Sequence, residues 1–402
     1  MARTGPGVEW SDAPMDSTRH NLKGKGQVTA SEVVGLVDDL LARAVEADAS
    51  DVHFEPTGRE LVVRYRLDGV LSTVERLPGA ICDNVIARLK VLGGLLTYRN
   101  DVPQEGRIEI PPDKMGKVAD QRLAVFPTIY GQRAVVRLFY QNQELADLAH
   151  LGFPSSILQM LQSFACGSQG VLLLTGPAGS GKSTTLAALL RQILDRFPGR
   201  SIVTLEDPVE IRIEGATQVQ ITPHGEMTFA VALRSLLRQD PQVLMIGEIR
   251  DAETARIAIE AGLTGHLLAS TMHSGSPAGA ILRLLEMGIE PYQVTSSVWG
   301  VVNQRLVRRL CTACKRKTDA GLFEPAGCDR CLGTGYKGRV LIAEGLQLDS
   351  TLRKAILAKA DLDQLQMLLA DRDRVGLPAY GRRLVNEGVT TQEELGHVCN
   401  LE

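Results

Sequence analysis

The stretch GVLLLTGPAGSGKSTTLAALL, residues 170–190, decides the fold. Its apolar run Val171–Leu174 is short and bounded by glycine, as a fully buried strand is. Gly176, Gly181, Lys182 and Ser183 then fall at the spacing of a phosphate-binding loop, and Leu186, Leu189 and Leu190 open a helix behind it. Glycines let backbone N–H groups curl around an anion, and the new helix adds the positive end of its dipole. Gly179, Ser180 and Thr184 complete the loop. Lys182 can reach the β- and γ-phosphates and Ser183 can ligate Mg²⁺. A nucleotide is therefore the expected ligand.

Downstream, SIVTLE, QVLMIGE and HLLAST are short apolar runs alternating with helical patterns at 183–195, 228–239, 251–262 and 277–288. That alternation predicts a mostly parallel sheet with helices on both faces. In such a sheet the functional groups gather at the carboxyl ends of the strands. Glu248 stands at one such end, in MIGEIRD, and is suited to polarise the water that attacks the γ-phosphate. Asp251 is read as the N-cap of the next helix. Glu206, Asp207 and Glu210 in EDPVE form an acidic cluster after another strand, where Mg²⁺ or its water shell is the expected guest. His266 and His273 bracket the third strand, expected to end beside the phosphates.

Cys311-x-x-Cys314 and Cys328-x-x-Cys331 are two knuckles separated by thirteen residues. Four thiolates so spaced predict a tetrahedral structural Zn²⁺ site without an open position, with disulfides or a redox pair as the alternative. Before the phosphate-loop region, residues 30–140 combine one helical stripe (Val33, Val37, Leu40, Leu41) with alternating strands such as LVVRYRLDGVL and RAVVRLF. The predicted organisation is a flexible tail at 1–27, an α+β domain at 28–140, a linker at 141–153, and an α/β domain at 154–402. The last holds a cysteine-bearing insert at 308–340 and C-terminal helices at 350–402. With 402 residues, 44 basic and 47 acidic, the chain has the bulk for two cores and none of the charge excess of a protein that coats nucleic acid. RLVRRL and CKRK are its only local hints of a nucleic-acid module. No run approaches the roughly 18 apolar residues of a spanning helix, so membrane contact is expected to be peripheral.

Taken together, these boxes resemble the hexameric traffic ATPases of type II protein secretion and type IV pilus assembly. GPAGSGKSTT resembles the family's Walker A loop, IVTLEDPVE its Asp box, and GHLLASTMH its His box. LRQDPQVLMIGEIRD resembles its Walker B, in which Gly replaces Asp and the following Glu is catalytic. The tetracysteine insert resembles that of secretion and extension members, which pilus-retraction members usually lack. The resemblance implies a RecA-like P-loop core, hydrolysis of ATP with Mg²⁺, and a cytoplasmic homohexamer at the inner face of the cytoplasmic membrane. A membrane platform protein is the implied partner, with no stable nucleic-acid contact. It places Glu248, Glu206 and His273 among the catalytic groups and Asp207, Glu210 and His266 around the nucleotide. It also implies that Arg122 and Arg137, with Arg133 nearby, reach the nucleotide. Retraction, DNA uptake and a nucleotide-binding scaffold are the competing roles. Ala178 and HSGSP depart from the usual loop and box without removing a needed group, and the ending VGLPAYGRRLVNEGVTTQEEL follows the family loosely. The long N-terminal docking domain of secretion members is missing, as in a shortened chain or a naturally short member.

Overall fold

Helix α1 (Ala30–Glu46) begins at a capping box: the Thr29 side chain accepts from the Glu32 N–H, and the Glu32 carboxylate accepts from the Thr29 N–H at 2.8 Å. Its buried stripe, Val33, Leu36, Val37, Leu40 and Ala44, repeats every three or four residues and covers one face of a sheet. That sheet comprises β1 (Asp51–Pro56), β2 (Glu60–Leu67), β3 (Val70–Pro78), β4 (Gln104–Arg107), β5 (Val118–Thr128) and β6 (Gly131–Tyr140). All neighbours are antiparallel, in the order β3-β2-β1-β6-β5-β4. The LDG turn is the expected hairpin, with Asp68 and Gly69 both at positive φ. On β6, Ala134, Val136 and Leu138 point into the core while Arg133 and Arg137 alternate to the other face. Helix α2 (Cys82–Leu92), which the sequence reading does not single out, carries Cys82, Val85, Ile86 and Leu89 on one stripe and buries it beside α1.

The computed structural model describes residues 29–109, 118–140, 147–221, 227–319, 321–370 and 376–399. The expected tail at 1–27 and the first part of the linker, 141–146, lie outside the described residues. The chain divides into two compact units, one of residues up to 141 with 326–335, the other of 142–325 with 336–402.

In the second unit, α3 (Ser155–Ala165) leads into β7 (Gly170–Thr175), every residue of which is buried. There follow α4 (Lys182–Arg196), β8 (Ile202–Glu206), β9 (Thr217–Gln220), α5 (Phe229–Leu236), β10 (Val243–Ile246), α6 (Ala252–Leu263), β11 (Leu267–Met272), α7 (Pro277–Glu286), α8 (Pro291–Ser297) and β12 (Val298–Leu310). Two short strands, β13 (Arg316–Lys317) and β14 (Phe323–Glu324), pair with each other before β15 (Tyr336–Gln347) returns along β12. Helices α9 (Ser350–Leu357), α10 (Leu362–Ala370), α11 (Leu377–Asn386) and α12 (Gln392–Cys399) finish the described chain. The sheet order is β15-β12-β7-β11-β10-β8-β9, parallel throughout except for the edge strand β15. One strand, β11, separates the phosphate-loop strand β7 from β10, the arrangement of a RecA-like core. Apolar clusters lie on both faces, one around Leu173, Ile246 and Ile281, the other around Leu172, Leu189 and Met245. The cysteine-bearing excursion therefore leaves and rejoins a long antiparallel strand pair, occupying 311–335 rather than 308–340. Among the described residues no helix is long and apolar enough to cross a membrane.

The C-terminal helices are tied to β12 by an ion pair. The Glu394 carboxylate accepts from the Arg308 backbone N–H at 3.0 Å, from Nε at 2.8 Å and from Nη2 at 2.7 Å, with side-chain exposures of 20% for Arg308 and 8% for Glu394. Arg308 also stacks on the Tyr336 ring at 4.1 Å. Glu394→Ala would leave that half-buried guanidinium without its carboxylate, so thermal or urea unfolding should register a loss of up to about 3–5 kcal/mol. A double change to Arg308→Met and Glu394→Leu should recover most of it, and a single variant as stable as the parent would refute the assignment.

Candidate functional site

The phosphate loop is shaped by contacts that only glycine permits. Gly176 has φ 143°, and a Cβ there would sit 2.4 Å from the Gln304 carbonyl oxygen and 2.6 Å from Ser180 Oγ. Gly181, at φ 88°, starts α4 without a side-chain cap, which leaves the first helical N–H groups facing the loop. Lys182 Nζ donates to the carbonyls of Gly176 and Pro177, both at 2.9 Å. Burial lowers the lysine's affinity for its proton; Glu248 and Glu210 oppose that shift and Arg305 reinforces it. Ser180 is buried and its hydroxyl has no hydrogen-bond partner among the described residues. A buried unpartnered donor, two N–H-rich glycine turns and a lysine folded back on neutral carbonyls fit a polyphosphate. Ser183, in the first turn of α4, is exposed, and Thr184 follows half-buried.

Glu248 lies just past β10 and its side chain is 15% exposed. The strand end is fixed against β11: Ser270 Oγ donates to the Ile246 carbonyl at 2.8 Å, Thr271 Oγ1 to the Gly247 carbonyl at 2.7 Å, and the Ile249 N–H to the Thr271 carbonyl at 2.9 Å. His273 follows β11 directly and brings Nε2 to 2.9 Å from Glu248 Oε1. Arg250 Nε donates to Glu248 Oε2 at 2.7 Å. Asp251 is the N-cap of α6, accepting from the Thr254 N–H at 2.8 Å, as expected from its place in the sequence. Glu248, His273 and Lys182 thus stand at the carboxyl ends of three adjacent parallel strands, with Glu248 close enough to act on the lysine's charge.

The acidic cluster is less uniform than its sequence. Glu206 is buried, its Oε1 accepting from Thr204 Oγ1 at 2.7 Å and from Gln218 Nε2 at 3.0 Å. Burial pushes its carboxyl up, with those two hydrogen bonds opposing. Asp207 and Glu210 are exposed, and the charge of Glu210 reaches Lys182. His266 requires a correction. It precedes β11, and its carbonyl accepts from the Gly170 N–H at the amino end of β7. The six residues of the strand separate it from the phosphate loop by about 20 Å, so His266 does not join the nucleotide groups. Its Nδ1 lies 3.2 Å from the Ala261 carbonyl, a local turn contact.

On the first unit's sheet, Arg122 and Arg137 are directly opposed across β5 and β6, and therefore share a face. Arg137 Nε donates to Asp51 Oδ1 at 3.0 Å, and Arg133 Nη2 lies 2.9 Å from both Glu55 Oε1 and His53 Nδ1. Burial raises the Asp51 carboxyl, but hydrogen bonds from Arg137 and Ser50 and the charges of Arg137 and Arg66 outweigh it and hold it below its ordinary range. The register adds an arginine the sequence reading missed. Arg107 on β4 opposes Arg122 and shares Asp120 with it, at 2.6 Å against 3.3 Å. The pairing of β4 with β5 that places it there cannot be read from the sequence.

The four cysteine sulfurs of 311, 314, 328 and 331 lie within 4.8 Å of one another. Cys328 Sγ and Cys331 Sγ are 3.8 Å apart. Sulfurs about 2.3 Å from a tetrahedral zinc are separated by about 3.8 Å. Cys331 Sγ also accepts from the backbone N–H groups of Cys328 and Gly335, each at 3.2 Å, the kind of outer contact that holds a thiolate ligand in place.

The family described as Type II/IV secretion system protein matches residues 27–397. The chain is 39% identical over 377 residues to the type IV pilus assembly ATPase PilB of Thermus thermophilus, covering 89% of this chain and 42% of that one. It is 39% identical over 384 residues to type II secretion system protein E of Dickeya dadantii, covering 92% and 76%. It thus spans less than half the length of the first relative and about three quarters of the second. Among solved structures, the ATPase DotB of Legionella pneumophila superposes with a TM-score of 0.69 at 21% identity, over 94% of this chain and 98% of that one. The pilus retraction motor PilT superposes at 0.60 with 23% identity, over 90% and 96%. These two likenesses establish the fold. The family match over residues 27–397 and the two sequence relatives make the chain a member of the Type II/IV secretion system protein family.

Proposed function

We propose that this chain hydrolyses ATP to ADP and phosphate and works as a ring of six that powers type II secretion or type IV pilus assembly. The observation that carries this reading is the meeting of Lys182, His273 and Glu248 at the ends of β7, β11 and β10. Lys182 and the backbone of the phosphate loop would hold the phosphates, and Ser183 would ligate a Mg²⁺ that offsets their charge. Glu248 orients the attacking water and accepts its proton, with His273 setting the carboxylate's direction. Asp207 and Glu210 suit the metal's water shell. Arg122 and Arg137, with Arg133 near them, are the groups to which the family resemblance gives the stabilisation of charge on the transferred phosphoryl group. The tetracysteine element holds a structural Zn²⁺. The ring sits in the cytoplasm at the inner face of the membrane, where a platform protein receives the motion.

Phosphate release measured against protein concentration, with solution mass followed in parallel, tests this. Turnover should require Mg²⁺ and rise steeply as six copies assemble. A stable monomer, or a hexamer without turnover, would overturn the motor.

A further inference from the structure

Strand β12 runs beside β7 in register, with Asn303 opposite Thr175, so Gln304 and Arg305 continue alongside the first turn of the phosphate loop. The amides of Asn303 and Gln304 are fully buried and hydrogen-bonded at both nitrogen and oxygen. Gln304 Nε2 donates to the Ser180 carbonyl at 2.7 Å and its Oε1 accepts from Thr185 Oγ1 at 3.2 Å. Asn303 Nδ2 donates to the Gly275 carbonyl at 3.0 Å and to Glu344 Oε1 at 2.8 Å.

Arg305 is the exception in this network. Its guanidinium donates to three oxygens, Asn303 Oδ1 at 2.8 Å, the Gln304 carbonyl at 3.1 Å and the Gly275 carbonyl at 3.3 Å. All three are neutral. Glu344, the carboxylate whose charge reaches it, is already held by Asn303 and by the Leu377 N–H. A half-buried cation hydrogen-bonded only to neutral oxygens carries a desolvation cost that the charge of Glu344, acting without contact, offsets only in part. Lys182 likewise hydrogen-bonds only to neutral carbonyls, with Glu248 and Glu210 acting on its charge without contact, and the two cations repel. The place of the guanidinium is specific: a Cβ on Gly176 would stand 3.2 Å from Nη1, while Nη2 holds Gly275, two residues beyond His273.

We propose that Arg305 is a second fixed cation of the phosphate site, a positioning residue that joins the first glycine turn to the loop carrying His273 and takes the nucleotide's phosphates as its counter-charge. The inference rests on the nucleotide-binding reading above and deepens it. A guanidinium with an acidic partner would be a structural brace; this one gains its opposite charge when a polyphosphate arrives. The same fork then holds the His273 loop against the filled site.

The test is MgATP binding, by fluorescent nucleotide titration at several salt concentrations, together with apo unfolding temperature, for the unsubstituted chain, Arg305→Gln, Arg305→Lys and Lys182→Ala. Arg305→Gln should unfold at or above the parent's temperature in the apo state, because a charge whose burial is only partly compensated has been removed. Its ATP affinity should fall about ten- to a hundredfold, the worth of a hydrogen bond to a charged group. Its binding should also become less salt-sensitive. Arg305→Lys should recover most of the affinity. Parent-like affinity in Arg305→Gln would overturn the proposal. Should Arg305→Gln not fold, Arg305→Lys decides: near-parent affinity supports the counter-charge, and a loss as deep as that of Lys182→Ala overturns it. A parent chain that binds no ATP would sink the nucleotide reading itself, and this inference with it.

Discussion

Glu248→Gln should bind MgATP as tightly as the parent and lose turnover by about 10²- to 10⁴-fold, the usual worth of a positioned general base. The substitution keeps the shape of the side chain and one oxygen, so nothing at the end of β10 need move. What it removes is the capacity to take a proton. Both carboxylate oxygens are engaged, Oε1 by His273 and Oε2 by Arg250, which fixes the plane of the group before any water arrives. The platform beneath is rigid: Ser270 and Thr271 hold the carbonyls of Ile246 and Gly247, so the carboxylate's direction is set by the sheet and not by a loop. Single-turnover phosphate release separates the two effects, with ATP affinity read from the same mixtures. Turnover within tenfold of the parent would remove Glu248 from the base role. A parallel loss of ATP affinity would mean that its charge on Lys182 matters more than its reach to water.

Why Glu248 was legible and Arg305 was not has a physical explanation. The phosphate loop announces itself because its spacing constrains the backbone: Gly176 and Gly181 stand at positive φ and Lys182 opens the helix. Glu248 follows from direction alone, since a residue closing a parallel strand lands at the edge where ligands bind. His266 failed on the same ground, because a residue that precedes the strand lands at the opposite edge. The strand β12 is harder to see. Asn303, Gln304 and Arg305 are polar residues within an otherwise apolar, largely buried stretch of the strand. Their burial is made tolerable by partners from β7, α4, β15 and the loop after His273, none of them near in sequence. Arg107 shows the same gap, for its place in the arginine row depends on the pairing of β4 with β5.

Stripping the metal from the tetracysteine element should melt the excursion and leave the phosphate loop working. Residues 311–335 have little to fold around: β13 and β14 are two residues each, and of the four cysteines only Cys311 and Cys331 are buried. Structural zinc sites contribute about 10–16 kcal/mol of apparent binding free energy at neutral pH, far beyond what so short a segment could supply by packing. Elemental analysis should therefore find one zinc per chain, lost in Cys311→Ser. Amide exchange across 311–335 should lose its protection in that variant or after chelation. The strands on either side are anchored differently. Val307 and Ile342 belong to a cluster with Leu377, Leu384 and Leu395, and Glu394 holds Arg308, so β12 and β15 keep a core that owes nothing to the metal. Protection there, and with it ATP binding through the Asn303–Gln304 brace, should survive. If chelation unfolds β12 as well, the zinc element and the nucleotide site form one cooperative unit. If exchange in 311–335 is unchanged without metal, the four thiols are held by packing and the zinc assignment falls.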